Sequence, residues 1–300
     1  MTPDTMPRPG EYRLAVGDAI IALDCPQAGL ASGLAAWFGR ESADPRAPVQ
    51  VRLEMTVVAH EGQPRFPRSL LTTKRLLPDG GFDIADGLIT GRYDAANGRG
   101  ELRVKAALLH GRYTRIFEQV LYQAYVSAGN RLERPGFLVH SSAVIAAGQG
   151  FLFVGPSGAG KSTVAGLSGG WHVLGDEINL VRPAVEGWEV VGTPFNGLFR
   201  AKRPGCAPLR AVLLLEHGPG HELGEAVLAD AVATVAAEII PPVGLDEVPG
   251  PATLPAMVDA ARDLAAQTPL KVLSFAPDPG LWTPLAAAFG LPPQPLEPSA

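Results

Sequence analysis

Cysteine is almost absent from this chain: Cys25 and Cys206 are its only two among 300 residues. Two thiols so far apart exclude a disulfide scaffold, and they lack the paired spacing of a structural zinc site. Long apolar runs are missing too. A stretch such as Ala211 to Leu215 falls far short of the roughly 20 residues that span a bilayer, so no membrane partner is expected. Positive charge is not in excess either: the net charge of -5 and the pI near 5.7 give no general field to attract nucleic acid or anionic lipid. Met1 to Tyr12 carries neither the basic flank nor the apolar run of a signal peptide, and a soluble, cytoplasmic protein is expected. What is present is an ordinary globular balance, 46% hydrophobic and 18% charged, enough to bury the core of one large domain or two ordinary ones.

The pattern of apolar residues changes along the chain. Up to about Lys105, Glu11 to Val16, Val49 to Met55 and Gly100 to Val104 alternate apolar with polar residues, as strands with one buried face do. Asp79-Gly80-Gly81 and Asn97-Gly98 supply hairpin-type turns. Residues 1–112 are therefore expected to form a mainly antiparallel β module. From Tyr113 to Leu132 the period becomes helical, with Ile116, Phe117, Val120, Leu121, Ala124 and Ala128 on one face and Pro135-Gly136 as the stop. This reads as a linking helix over 113–135, a hinge between modules. Residues 136–291 then read as an α/β (α+β) domain. Phe137 to Ala146 and Gly150 to Val154 are apolar strands of a buried sheet, and Trp171 to Pro194 holds short strands. Ala211 to Glu216 is another buried strand, and Leu223 to Ile240 a helix stopped by Pro241-Pro242. Leu254 to Ala266 is a further helix and Leu270 to Phe275 a last strand. The Pro-rich tail, 292–300, is expected to fray.

One segment carries chemistry on its face. Gly155-Pro156-Ser157-Gly158-Ala159-Gly160-Lys161-Ser162 matches the phosphate-loop pattern G-x-x-x-x-G-K-[ST] without a mismatch. Four such positions arise by accident on the order of once in a hundred chains this long. A strand-like Phe151 to Val154 precedes it, and Thr163 opens a helix-compatible run. Glycines let consecutive backbone N–H groups turn toward one anion, and a following helix start adds partial positive charge. Residues 155–163 are thus the candidate ATP-binding loop, with Lys161 reaching the β and γ phosphates and the Ser162 hydroxyl on Mg²⁺.

Phosphoryl transfer also needs acids. Asp176 and Glu177 follow the short apolar strand Val173-Leu174-Gly175, where a carboxylate can hold Mg²⁺ or accept the proton of an attacking hydroxyl. His140 stands in an apolar strand shortly before the loop. Arg200, with Lys202 and Arg203, lies in a glycine-containing stretch that could close over the triphosphate and offset charge. His217 and His221, with Glu216 and Glu222, look like metal ligands, yet Gly218-Pro219-Gly220 breaks any helical register, so the cluster is assigned to a loop.

His140-Ser141-Ser142-Ala143-Val144, the phosphate loop through Thr163 and Leu174-Gly175-Asp176-Glu177 together resemble the catalytic domain of HPr kinase/phosphorylase. The likeness spans roughly Phe137 to Trp282. Gly192 to Phe195, Ala207 to Ala211 and Leu273 to Trp282 are similar to the HPr-kinase-like proteins found with peptide-modification gene clusters. The resemblance implies a nucleotide domain related to that of phosphoenolpyruvate carboxykinase and a serine kinase chemistry that uses ATP and Mg²⁺. It implies His140 as the active-site histidine, Lys161 on phosphate, Ser162 on magnesium and Asp176 as the base for the acceptor hydroxyl. The family's Glu-x-Arg-Gly-x-Gly segment, which carries a second magnesium ligand, has no match where Leu198 to Lys202 stands. A peptide or small-protein acceptor other than HPr is therefore expected, offered by edge-strand addition to the first module. A small-metabolite kinase acting on a compound such as free serine, and a nucleotide-gated binding module, are the alternatives. A homo-oligomer is open.

Overall fold

The computed structural model describes residues 9–25, 27, 29–39, 47–59, 74–85, 87–109, 114–241 and 253–295. The chain divides into two compact units, Met1–Pro135 with Pro241–Gly250, and Gly136–Ile240 with Pro251–Ala300. Both are built on mixed sheets.

The first unit contains β1 (Glu11–Val16), β2 (Ala19–Asp24), α1 (Leu30–Phe38), β3 (Val51–Val58), β4 (Lys74–Leu76), β5 (Phe82–Ala85), β6 (Ile89–Asp94), β7 (Arg99–Lys105) and α2 (Thr114–Ala128). The strands lie in the order β1-β2-β3-β7-β6-β5-β4. Turns with Gly80 and Gly98 at positive φ join β4 to β5 and β6 to β7, so those pairs are antiparallel. The module is mainly antiparallel, as expected, with one exception: β3 runs parallel to both β2 and β7. The chain from β2 to β3 passes through α1 in place of a tight turn, and a crossover of that length permits parallel pairing. Alternation in β7 places Gly100, Leu102 and Val104 inward and Arg99, Glu101 and Arg103 outward. The helix expected as a hinge is packed within the first unit. Its Glu118 is buried and accepts a 2.8 Å hydrogen bond from Trp37 Nε1, so α2 is a core element.

The second unit contains β8 (Phe137–His140), β9 (Ser142–Ala146), β10 (Gln149–Val154), α3 (Lys161–Leu167), β11 (His172–Gly175), β12 (Ile178–Pro183), β13 (Trp188–Gly192), β14 (Cys206–His217), β15 (Glu222–Glu225), α4 (Leu228–Glu238), α5 (Thr253–Gln267), β16 (Leu270–Phe275) and α6 (Trp282–Phe289). The order is β11-β9-β10-β14-β13-β12-β8, with β16 also paired to β14 and β15 to β16. β10 and β16 both run parallel to β14. Helices cover both faces, which is why β10 from Gly150 and β14 from Ala211 to Leu215 are apolar without alternation. Phe151 and Phe153 pack with α3 and α6 on one side, whereas Leu152 and Val154 pack with α4 and α5 on the other. Trp282 anchors α6 edge-on to Phe151 and Phe153 and donates from Nε1 to Ser168 Oγ at 3.0 Å; such ring pairs add about 0.5–1.5 kcal/mol each.

Three expectations change here. The single strand from Phe137 to Ala146 is two, because β8 pairs with β12 while β9 pairs with β10 and β11. Ser141 makes the break, with its hydroxyl on Val139 O and its own carbonyl and hydroxyl accepting from Asn179 Nδ2. The helix expected from Leu223 begins only at Leu228, because Glu222–Glu225 completes the edge of β16 as an antiparallel strand. The tail is held as far as Pro295, with Gln294 Nε2 donating to Leu167 O at 3.0 Å; residues 296–300 lie outside the described residues.

Candidate functional site

The phosphate loop sits where the parallel strands β10 and β14 of the mixed sheet present their carboxyl ends. β10 and β14 run side by side in the same direction, Val154 beside Leu214, so the turn after β10 opens next to Glu216 and His217. Crevices at such strand ends are the usual ligand sites of open α/β sheets. Gly158 and Gly160 have φ of 87° and 103°, values that glycine tolerates and other residues resist. A Cβ on Gly160 would also stand 2.6 Å from Phe275 Cζ. Pro156, Ser157 and Gly158 are exposed, Ala159 is buried, and Gly160 caps the start of α3. Ser162 is half-buried in the first turn of that helix and Thr163 is exposed.

Lys161 folds back under its own loop. The side chain is 7% exposed, and Nζ donates to Gly155 O and to Pro156 O at 3.3 Å. Its third neighbour is Glu238 Oε2 at 3.5 Å. The same oxygen lies 3.1 Å from His140 Nδ1, and His140 Nε2 lies 3.9 Å from Glu177 Oε1. Lys161 and His140, both expected in the site, thus meet on one acid that sequence reasoning passed over, and Glu177, also expected, stands on the other side of the His140 ring. An isolated bridge explains its arrival: Val139 pairs with Ile239 in antiparallel sense, and Ile240 N donates to Leu138 O at 2.8 Å. The end of α4 is thereby laid along β8, Glu238 beside His140.

Asp176 is held in a different manner. It is 1% exposed, and Oδ2 accepts from the backbone N–H of Leu198 at 2.9 Å and of Phe199 at 3.0 Å. Oδ1 is buried with no partner among the described residues. Gly197 makes the wrap possible, since a Cβ there would fall 2.1 Å from Oδ1. The basic stretch is therefore tied to Asp176 through its backbone. Lys202 donates to the carbonyls of Thr193 and Phe195, and Arg203 to that of Trp171. Arg200 is exposed on the same segment.

The histidine cluster resolves differently from the loop expected. Glu216 and His217 end β14, Glu222 opens β15, and only the residues between them form a loop. His221 Nε2 pairs with Asp278 Oδ1 at 2.8 Å. His217 Nε2 lies 2.9 Å from Gly158 O, so the ring donates to the phosphate loop, and it stacks on Phe275 with centroids 6.2 Å apart. The sequence signals for both missed residues were positional. Glu238 is an acid in the last turn of a predicted helix, and His217 ends the strand that neighbours the phosphate-loop strand.

Among the described residues, no group of three or more His, Cys, Asp or Glu is arranged to hold a metal ion. Magnesium at a phosphate loop needs less than that, because it keeps waters and takes oxygens from phosphate. The donor set present is of the right kind: the Ser162 hydroxyl, the buried and unpartnered Asp176 Oδ1, and the half-buried Glu177 carboxylate. No protein-family model and no curated protein matches the chain.

Proposed function

We propose that this chain is an ATP- and Mg²⁺-dependent kinase that transfers the γ phosphate to a serine-like hydroxyl of a peptide or small protein, with an HPr-kinase-like catalytic domain. The observation that carries the reading is the junction of phosphate loop and acid–base groups. Lys161 Nζ and His140 Nδ1 lie within 3.5 Å and 3.1 Å of one carboxylate oxygen, that of Glu238. A glycine loop that merely caps a helix has no use for a buried lysine beside an imidazole.

The residues divide the work by position. The N–H groups of Gly158, Gly160 and Lys161 would serve the phosphates, that of Ala159 being donated to Pro156 O at 3.0 Å, and Lys161 would offset charge on the transferring group. Asp176 Oδ1 is the oxygen left to take the proton from the acceptor hydroxyl, since Oδ2 is committed to Leu198 and Phe199. Ser162 and Glu177 would hold Mg²⁺ directly, with Asp176 reaching it through water, and the ion would supply charge neutralisation at the phosphates. Segment 196–199 holds Asp176 in place, and the exposed Arg200 beside it would offset charge on the outer phosphate oxygens.

The test is label transfer from γ-³²P-ATP to a panel of serine-containing peptides and free serine, with ATP affinity measured by calorimetry. Wild type is expected to bind ATP and label an acceptor, and Lys161→Ala to lose about 100-fold or more in transfer. ATP binding equal in wild type and Lys161→Ala, with no label moved, would sink the kinase reading.

A further inference from the structure

Glu238 stands where helix energetics disfavours an acid. It is the last residue of α4, at the end that carries partial negative charge. Its side chain keeps only 12% exposure, and a carboxylate so far withdrawn from water needs compensating partners. The partners are the ammonium of Lys161 and the imidazole of His140, both on Oε2. An ammonium has three N–H donors. Here they face Gly155 O, Pro156 O and Glu238 Oε2, so a phosphate oxygen can reach Lys161 only by displacing one of them. Of the three, the carboxylate alone is repelled by phosphate.

We propose that Glu238 is the internal anion of the phosphate site and the residue that positions His140. While no phosphate is bound it holds Lys161 and His140 on one oxygen. When phosphate arrives it yields Lys161 and stays on His140 Nδ1. A carboxylate only accepts, so Nδ1 must carry the proton; in the neutral ring Nε2 is then the bare nitrogen, turned to the side of Glu177. Glu238 thus acts through Lys161 and His140 and touches no reacting atom itself. The inference rests on the phosphate-binding reading above.

Removing the charge separates this role from a structural one. Binding of inorganic tripolyphosphate and of ATP without Mg²⁺ is measured by calorimetry for wild type and Glu238→Gln, alongside label transfer at saturating ATP. Glu238→Gln is expected to bind both probes about fivefold or more tightly, because a competing anion is gone. Transfer is expected to slow about tenfold or more as the ring exchanges a charged orienting acceptor for a neutral amide that can also present a donor. A residue that only supports the fold would weaken binding and transfer together. Equal or weaker binding overturns the inference and leaves the phosphate-loop reading intact, and tighter binding with unchanged transfer overturns the His140 half. If neither protein binds either probe, the phosphate reading and the inference fall together. Glu238→Asp keeps the charge but withdraws it by one methylene; it is expected to shift both quantities in the same directions by less, and decides the matter if the glutamine variant does not fold.

Discussion

The two oxygens of Asp176 have different fates. Oδ2 takes two backbone N–H bonds from Leu198 and Phe199, whereas Oδ1 is buried with no partner among the described residues. An unpaired buried acceptor costs about 1–3 kcal/mol, so its retention in a folded protein asks for a use. Asparagine can accept the same two N–H bonds through its carbonyl, which keeps segment 196–199 in place while removing the base. Asp176→Asn is therefore expected to lower turnover by about 10²- to 10⁴-fold, with ATP affinity held within about threefold, as read by label transfer and calorimetry. Unchanged turnover would take Asp176 out of the mechanism. The acid itself was visible in the sequence beside a phosphate loop. The asymmetry of its oxygens was not, because both N–H donors come from residues more than twenty positions away.

At the scale of elements, the turn from β10 into α3 depends on one glycine more than on any other part of its motif. Gly160 combines a φ of 103° with a close approach to Phe275. Phe275 is itself buried at the end of β16, so the ring has little room to retreat. Gly160→Ala is expected to cost about 1–3 kcal/mol of stability and to weaken ATP binding at least as much as it weakens the fold, because the displaced backbone N–H groups are the phosphate donors in the function proposed above. Urea unfolding and calorimetry on the same samples check this, and an unperturbed urea midpoint would show that the loop relaxes freely. The motif told which residue types form this turn. That an aromatic from β16 closes the space around Gly160 follows only from β14 lying between β10 and β16. The same topology brings His217 to the loop.

The whole molecule has a second charged centre, in the first unit. Glu11 is 1% exposed and accepts from Arg13 and, at 2.9 Å, from Arg52; Arg52 also pairs with Asp24. Burial pushes the Glu11 carboxyl up, but the hydrogen bonds and charges of the two arginines outweigh it, and the net shift is below the usual 4.5. A carboxyl with a depressed folded value stabilises the protein above the unfolded value and loses that contribution as pH falls through the folded one. The urea midpoint is therefore expected to hold from neutral pH to about 5 and to drop below 4.5. Glu11→Gln should lower the midpoint at neutral pH and flatten its fall on acidification. An acid limb of equal slope in both proteins would show that Glu11 does not contribute to it. The alternation of Glu11, Arg13 and Arg52 with apolar neighbours placed these residues on strands, yet it suggested a solvated face. The register of β1, β2 and β3 makes them a buried network instead.

Local patterns determined much of this protein: the glycine loop between a buried strand and a helix, the acids after β11, the strands β1, β3 and β7 of the first unit and the helices α2 and α5. Each of those signals lies within a few residues of sequence, where backbone propensity, side-chain period and glycine placement act. Tertiary structure decided what meets what. Glu238 reaches His140 and Lys161 because one bridge lays the end of α4 along β8, and His217 reaches the loop because two distant strands run parallel. It also decided that Leu223 belongs to a strand and not to a helix, since the open edge of β16 offers hydrogen bonds that a first helical turn does not. Pairings across a hundred residues are set by packing and register, and no local period encodes them.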